Sequence, residues 1–383
     1  MPKLPEAMTM LAEKSAPARR QHLREVIAKA VGAQAGQFDL DQKIPAGLIA
    51  ELAAEGMLGA HVPAEYGGAP VDARQFGELC EDIGYASASV LSLLTVHTMV
   101  SAAIAKWGSA AQKDRWLPRL ASGATIGAFA LSEPNVGSDA KNVETSMRRE
   151  GDAFIVSGTK KWISFAQIAQ LFLVIGNCEG RVTALLVARD TPGLTVEPIH
   201  DMLGFRAAML GQLHLDECVI GKENLIGSLD FGYAQVVGSV LDQGRYCIAW
   251  GCVGLAQACL DACLDYTEQR QTFGQYLKEH QLVQRSMADM ITNVQAARLL
   301  CEDAARLRAG GDPGMIMATA TAKYFAARTV ESAANDAVQI HGANGCGSEY
   351  PVQRYFRDAK IMNIIEGSAQ MQQILIAQHG YRR

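Results

Sequence analysis

The sequence predicts the α+β fold class, with an N-terminal α-helical domain, a middle antiparallel β-barrel or sandwich, and a C-terminal four-helix bundle. Two observations predict this order. Apolar residues recur at helical spacing up to about residue 122 and again from about residue 231, and short apolar segments bounded by turn residues lie between. With 383 residues, 49% of them hydrophobic, the chain can form several packed subdomains. We therefore expect domains at 1–122, 123–230 and 231–383.

The N-terminal part contains helical patterns such as LREVIAKAVGAQ, AGLIAELAAEGML and ARQFGELCEDIGYA, which are interrupted at Gly and Pro. Residues 89–108 are apolar almost all round, which predicts a central buried helix. His97 lies on this helix. A single histidine in such a place is more often a hydrogen-bonded core residue or a pocket wall than a catalyst.

The middle part contains short strand patterns, namely TIGAFALS, AFIVSGTKKWIS, LFLVIGN, VTALLVA, LTVEPI and GQLHLDECVI. Because no helical period separates them, we expect these strands to pair mainly antiparallel. Ser157 and Gly158 lie within the second pattern and predict a hairpin turn there.

The C-terminal part contains helical patterns longer than 25 residues, which are typical of a bundle. Near its end, a small-residue break interrupts the pattern in the stretch RDAKIMNIIEGSAQMQQILI. Glu366 lies at this break. Gly367 lets the backbone bend, and Ser368 can cap the helix that follows. Glu366 is either a site carboxylate or a loop glutamate that stabilises the helix N-terminus.

Composition and charge exclude several classes of function. The net charge of −5 and the pI near 5.9 give no basic surface for nucleic acid, so we expect no nucleic-acid partner. We find no run near the roughly 20 apolar residues of a membrane span and no apolar signal core, and we expect a cytoplasmic protein. The nine cysteines are scattered among apolar residues, which predicts core positions and no metal site.

Four polar motifs could bind a ligand. FALSEPNVGSDA offers N–H and hydroxyl groups, and KKWIS places the flat ring of Trp162 and the hydroxyl of Ser164 next to each other. RQTFGQ and QIHGANGCG end helices with arginine and glycine, which suit a pyrophosphate but also serve as ordinary helix caps. Taken alone, Trp162 is better explained as an ordinary core residue.

Five motifs in order resemble the acyl-CoA dehydrogenase family: FALSEPNVGSD, KKWIS, LDQGR followed by GLAQACLDAC, RQTFGQ, and QIHGANG leading to IIEGS. The resemblance runs from end to end of the chain. It implies that family's three-domain fold, an FAD cofactor and a homo-oligomer, either dimer or tetramer. It also implies an acyl thioester substrate on coenzyme A or an acyl carrier protein, and an electron-transfer flavoprotein or another acceptor.

The resemblance also assigns roles to residues. Glu366 matches the catalytic base, which takes the α-proton while the β-hydride goes to flavin N5. Residues matching contacts to the flavin from the same subunit are Phe129, Leu131, Ser132, Trp162, Ser164 and Ser368. Residues matching contacts to the diphosphate and adenosine from a neighbouring subunit are Arg270, Phe273, Gln281, Gln339, Gly342 and Ala343. Residues matching substrate contacts are Ser138, Asp242, Arg245, Trp250 and Gly367. Some relatives carry the base at the position of Gly244 instead.

Two features depart from the usual fatty-acid oxidisers. Trp250 stands where small residues are common and should shorten the acyl pocket, and IIEGSAQM lacks the usual aromatic and threonine around the glutamate. In these features the chain is similar to acyl-carrier-protein dehydrogenases of hydroxymalonyl and methoxymalonyl extender-unit formation in polyketide pathways. The implied substrate is a carrier-bound glyceryl or hydroxyacyl unit. The alternatives are an ordinary short-chain acyl-CoA dehydrogenase that forms 2-enoyl-CoA, and a catalytically silent scaffold homologue.

Overall fold

The computed structural model describes residues 15–229 and 232–381. The first part is helical, and two of its helices begin with capping boxes, at Asp72 and Ser109. The helices are α1 (Ala16–Ala30), α2 (Ala35–Asp41), α3 (Ala46–Ala54), α4 (Ala73–Ala86), α5 (Ala88–Trp107) and α6 (Ala110–Ala121).

Helix α5 is the buried central helix that the sequence predicts, and His97 on it is a core residue. The ring Nε2 lies 3.1 Å from the carbonyl oxygen of Leu120, and the N–H of Gly127 points to Nδ1 at 3.4 Å. Burial lowers the pKa of His97 to about 4, so the ring is neutral. The prediction of a hydrogen-bonded core histidine is confirmed.

The middle part forms one eight-stranded sheet in the order β6-β7-β3-β2-β4-β5-β8, with β1 beside β4. Its pairs are mainly antiparallel, as predicted, but β1 and β2 both run parallel to β4. The strands are β1 (Gly127–Ala130), β2 (Ser146–Glu150), β3 (Ala153–Ile163), β4 (Leu171–Cys178), β5 (Arg181–Ala188), β6 (Leu194–Pro198), β7 (Gly211–Gly221) and β8 (Leu225–Ile226).

The predicted hairpin turn at Ser157 and Gly158 is wrong. Strand β3 runs through both residues, and its pairing with β7 shifts register between Val156 and Gly158, which makes a bulge. A Cβ at Gly158 would lie 2.6 Å from Oγ1 of Thr145. The glycine therefore serves a close backbone approach rather than a chain reversal.

A buried ion pair fastens the loop after β1 to strand β3. Nζ of Lys160 donates to Oε1 of Glu133 at 2.6 Å and to the carbonyl of Leu131 at 3.0 Å, and Thr145 donates its N–H and its hydroxyl to the same carboxylate. Both charged side chains are almost fully buried. Burial lowers the pKa of Lys160 to about 8, so the pair is charged at neutral pH.

The C-terminal part is a helical bundle. Two short helices take the place of the fourth helix of this bundle. A break separates them at Glu366, as the small residues that follow Glu366 predict. A π-helical turn (Gly232–Val237) leads into α7, and a two-stranded hairpin of β9 (Gln271–Thr272) and β10 (Gln275–Tyr276) joins α7 to α8. The helices are α7 (Gly238–Gln269), α8 (Gln281–Ala309), α9 (Met315–His341), α10 (Val352–Ile364) and α11 (Ala369–Gly380).

Among the described residues, two helical segments are apolar enough to cross a membrane by length and composition, although the sequence predicts none. They are Ala88–Trp107 and Gly232–Gln269, and 89% and 78% of their most apolar windows are buried inside the fold. Core helices of a globular protein show this same composition.

Eight cysteines are buried and Cys346 is exposed, so the prediction of core positions holds for eight of the nine cysteines.

Breaking the Lys160–Glu133 pair should destabilise the protein, because it leaves an uncompensated carboxylate in the interior. We expect Lys160→Met to cost about 3 kcal/mol or more and to lower the thermal unfolding midpoint by several degrees in a calorimetric scan. The matched control is Lys222→Met, since Lys222 pairs with Asp152 at the exposed surface and should cost little. Equal midpoints for both variants would contradict this account.

Candidate active site

Glu366 lies in the break between α10 and α11, in a backbone conformation that is rare for a residue with a side chain. Its φ is +54° and that of Gly367 is +82°. The hydroxyl of Ser368 accepts a hydrogen bond from the N–H of Met371 at 3.4 Å and so caps α11. The capping role therefore belongs to Ser368, and the carboxylate of Glu366 is free for another use.

The carboxylate of Glu366 points into the protein against α7. Its Oε2 atom is buried and has no hydrogen-bond partner among the described residues. A Cβ added to Gly244 would overlap Oε2 and stand 2.6 Å from Cδ, and it would lie 3.1 Å from Sδ of Met99 on α5. The carboxylate thus fills the space that a side chain at position 244 would need.

The environment of Glu366 shifts its proton affinity. Burial raises the pKa of Glu366 to about 7, against the opposing effect of the positive charges of Arg245 and Lys323. A carboxylate with this pKa is a stronger base than a solvent-exposed glutamate and is still ionised above neutral pH.

Lys323 of α9 is a member of this site that the sequence reasoning missed. It is fully buried, and its Nζ donates to the carbonyl oxygen of Gly367 at 2.8 Å. Burial lowers the pKa of Lys323 to about 8. A lysine within the apolar pattern MIMATATAKYFAARTV was the available signal, because an unpaired charge is rarely buried without a function.

The structure does not bring all the predicted substrate residues together. Arg245 lies beside the Glu366 turn, with Nε 3.6 Å from the position a Cβ on Gly367 would take. Asp242 pairs with Arg308 of α8 at 2.6 Å, and its Oδ1 is buried without a partner among the described residues. Ser138 is exposed in the loop after β1.

Trp250 is fully buried between α7 and α4. Its indole lies where a Cβ on Gly77 would be, so Gly77 provides the space for the ring. Nearby, a Cβ on Gly84 would stand 2.6 Å from the Cα of Gly251, which shows how closely the two helices approach. The indole therefore fills the room between them.

The residues predicted to face a planar ring lie together where β1 and β3 end. Phe129 lies in β1 and Leu131 comes directly after its last residue, and the N–H of Lys161 donates to the carbonyl of Ser132 at 2.8 Å, which places the two motifs side by side. Trp162 is 48% exposed with φ of +64°. The core interpretation of Trp162 is therefore wrong. Ser164, two residues after Trp162, is partly buried.

The residues predicted for the diphosphate and adenosine end lie at one end of the bundle. The Tyr266 hydroxyl donates to the carbonyl of His341 at 3.3 Å and accepts from Asn344 at 3.0 Å, so RQTFGQ and QIHGANG meet around a cleft of about 450 Å³. Within residues 15–229 and 232–381, no hydrogen bond joins this set to the ring-facing set. The members are all exposed: Arg270, Phe273, Gln281, Gln339, Gly342 and Ala343.

These features fit FAD at two places. A half-exposed indole beside strand β1 offers a flat surface to a conjugated ring. Phe273 is 97% exposed at the tip of the β9–β10 hairpin, close in sequence to the exposed Arg270, so both side chains are open to another molecule. Within the ranges that the structure describes, no group of three or more potential metal ligands occurs.

Three family models match the chain in succession. They are the acyl-CoA dehydrogenase N-terminal domain at residues 14–124, the middle domain at residues 128–218 and the C-terminal domain at residues 232–381. The chain is 36% identical to the mitochondrial short-chain specific acyl-CoA dehydrogenase of Mus musculus, an alignment that covers 98% of this chain and 90% of the mouse protein.

Similar solved structures include members of the same family. FkbI, described as acting in biosynthesis of the methoxymalonyl extender unit of the FK520 polyketide, has a TM-score of 0.88 and 34% identity, covering 94% of this chain and 99% of its own. A glutaryl-CoA dehydrogenase of Mycobacterium smegmatis in complex with FADH2 has a TM-score of 0.91 and 26% identity, covering 98% and 96%. The chain therefore belongs to the acyl-CoA dehydrogenase family, whose members are FAD-dependent oxidoreductases acting on CH–CH bonds.

Proposed function

We propose that Glu366 is the base that removes the α-proton of a short acyl thioester, and that this thioester is a glyceryl or hydroxyacyl unit on an acyl carrier protein. The observation that carries the first half is the buried Oε2 atom of Glu366, which lies against Gly244 and has no hydrogen-bond partner within residues 15–229 and 232–381. The pKa of about 7 supports it, because a general base works best when its pKa lies near the operating pH.

The same turn can also polarise the substrate. Among the described residues, no hydrogen bond uses the backbone N–H of Glu366, so this donor is available to a thioester carbonyl next to the carboxylate. A donor at that oxygen makes the α-proton more acidic. Bound FAD would supply the hydride acceptor for the β-hydrogen. Arg245, whose Nε has no partner among the described residues, would help to orient the thioester.

Two points support the substrate half. The resemblance assigns Trp250 to the acyl pocket, where a bulky, buried indole leaves room for a short acyl group, and FkbI shares 34% identity over 94% of this chain. With a glyceryl unit, loss of the α-proton and the β-hydride gives an enediol, which tautomerises to an aldehyde. The reaction would therefore oxidise an alcohol carbon and contribute to a hydroxymalonyl-type extender unit.

The second candidate function is that of an ordinary short-chain acyl-CoA dehydrogenase forming 2-enoyl-CoA. The 36% identity to the mouse short-chain enzyme favours it. A silent scaffold is disfavoured because Glu366 and the ring-facing residues are all present. In either enzymatic case, we propose that a second copy of the chain completes the FAD site and that an external acceptor, such as an electron-transfer flavoprotein, takes the electrons. The proposal also includes a cytoplasmic location and domain limits at 1–122, 123–230 and 231–383.

Replacing Glu366 by glutamine should remove the base while keeping the shape of the site. We expect Glu366→Gln to bind FAD normally and to lose flavin reduction by more than about a hundredfold. The measurement is the stopped-flow decrease of flavin absorbance near 450 nm. Glu150→Gln, at the exposed end of β2, is the matched control. Flavin reduction at the wild-type rate in Glu366→Gln would show that the base lies elsewhere.

The choice between the two substrates needs a direct comparison. We expect the holoenzyme to oxidise glyceryl-carrier protein, with a mass loss of two hydrogens seen by mass spectrometry, and to reduce its flavin faster with this substrate than with butyryl-CoA. No turnover of the carrier-bound unit, together with brisk turnover of butyryl-CoA, would establish the short-chain acyl-CoA alternative.

A further inference from the structure

The carbonyl oxygen of Gly367 is held by two side chains from the protein interior. Nζ of Lys323 donates to it at 2.8 Å from α9, and Nε2 of Gln372 donates at 3.1 Å from α11. Both side chains are fully buried. A lysine ammonium buried on a backbone carbonyl is costly unless it is well compensated, so this arrangement calls for a reason beyond packing.

The turn that these bonds hold is strained. Glu366 and Gly367 both have positive φ, and Glu366 is not a glycine. Such a conformation persists only where the surroundings fix it. A Cβ on Gly367 would stand 2.6 Å from Nε2 of Gln372, so a side chain at this position would displace the amide that holds the carbonyl. The two bonds to its carbonyl therefore help to fix the direction of the preceding side chain, which is that of Glu366.

The charges around Glu366 come from two helices. Arg245 of α7 and Lys323 of α9 are the cations that favour its ionised form. Gly244 of α7, against which the carboxylate lies, and Met99 of α5, which is close to the same point, are uncharged. Lys323 itself faces Cys252 and Arg245 of α7 as well as Glu366. Removing Lys323 would leave Arg245 as the cation beside the carboxylate.

We propose that Lys323 is a positioning residue for Glu366: its bond to the carbonyl of Gly367 fixes the turn, and its positive charge favours the carboxylate over the carboxylic acid. This inference rests on the proposed role of Glu366 as the base. With a pKa of about 8 for Lys323 and about 7 for Glu366, both groups are charged between these values, which is where the site would work.

Variants can separate the hydrogen bond from the charge. Lys323→Met removes both, Gln372→Met removes only the second hydrogen bond, and Lys323→Arg keeps a cation and a donor. Lys360→Met, a surface lysine of α10 paired with Glu331, is the matched control. The readouts are the pH dependence of flavin reduction, the flavin content of the purified protein, and a ¹³C NMR titration of Glu366 in the apoprotein, assigned by comparison with Glu366→Gln.

We expect Lys323→Met to retain FAD, to move the pH midpoint of flavin reduction upward by about one unit and to slow reduction at pH 7 about tenfold or more. The midpoint rises because a lost cation makes the carboxylate harder to form. Gln372→Met should slow reduction without moving the midpoint. Lys323→Arg should bring the midpoint back toward that of the wild type, and Lys360→Met should change neither quantity.

A wild-type midpoint in Lys323→Met would overturn the inference. If this variant loses FAD, the titration of the apoprotein decides in its place, and an unshifted Glu366 midpoint overturns the inference there. The proposed function fails separately, when Glu366→Gln still reduces its flavin. Inactive Glu366→Gln together with an unshifted Lys323→Met removes only the role of Lys323.

Discussion

The rest of this site depends on one buried carboxylate oxygen that has no hydrogen-bond partner in the part of the chain that the structure describes. Oε2 of Glu366 occupies the space that Gly244 leaves empty, and the backbone at Glu366 adopts a left-handed conformation to bring it there. Leaving such a group unpaired is costly, and proteins keep such features mainly at functional sites. The break between α10 and α11, the cap at Ser368 and the cation of Lys323 all serve to hold that one group in place.

Close contacts fix the elements that carry the predicted site residues. Helix α7 contacts α4 through glycines, and the buried pair of Lys160 and Glu133 fastens the loop after β1 to β3. The residues predicted for the diphosphate and adenosine end of the cofactor, such as Phe273, are exposed to solvent. A second copy of the chain would give them a role.

Much of this could be predicted from the sequence. Periodicity alone indicates the order of helices, strands and helices, and the small residues of IIEGS indicate the break and its cap at Ser368. The sequence could not distinguish a turn from a bulge at Gly158, because glycine allows both and the deciding neighbour, Thr145, is distant in the chain. Lys323 and the Glu133–Lys160 pair were missed for the same reason: each acquires its role from a residue that only the folded chain brings near.

The central claim is that catalysis needs a carboxylate at one place, whichever element carries it. The most direct test moves the carboxylate from position 366 to position 244, in the double variant Gly244→Glu/Glu366→Gly. The two side chains would occupy the same space. The account predicts that the double variant regains a large part of the flavin reduction that Glu366→Gly loses. A double variant that binds FAD and substrate but reduces flavin no faster than Glu366→Gly would contradict it.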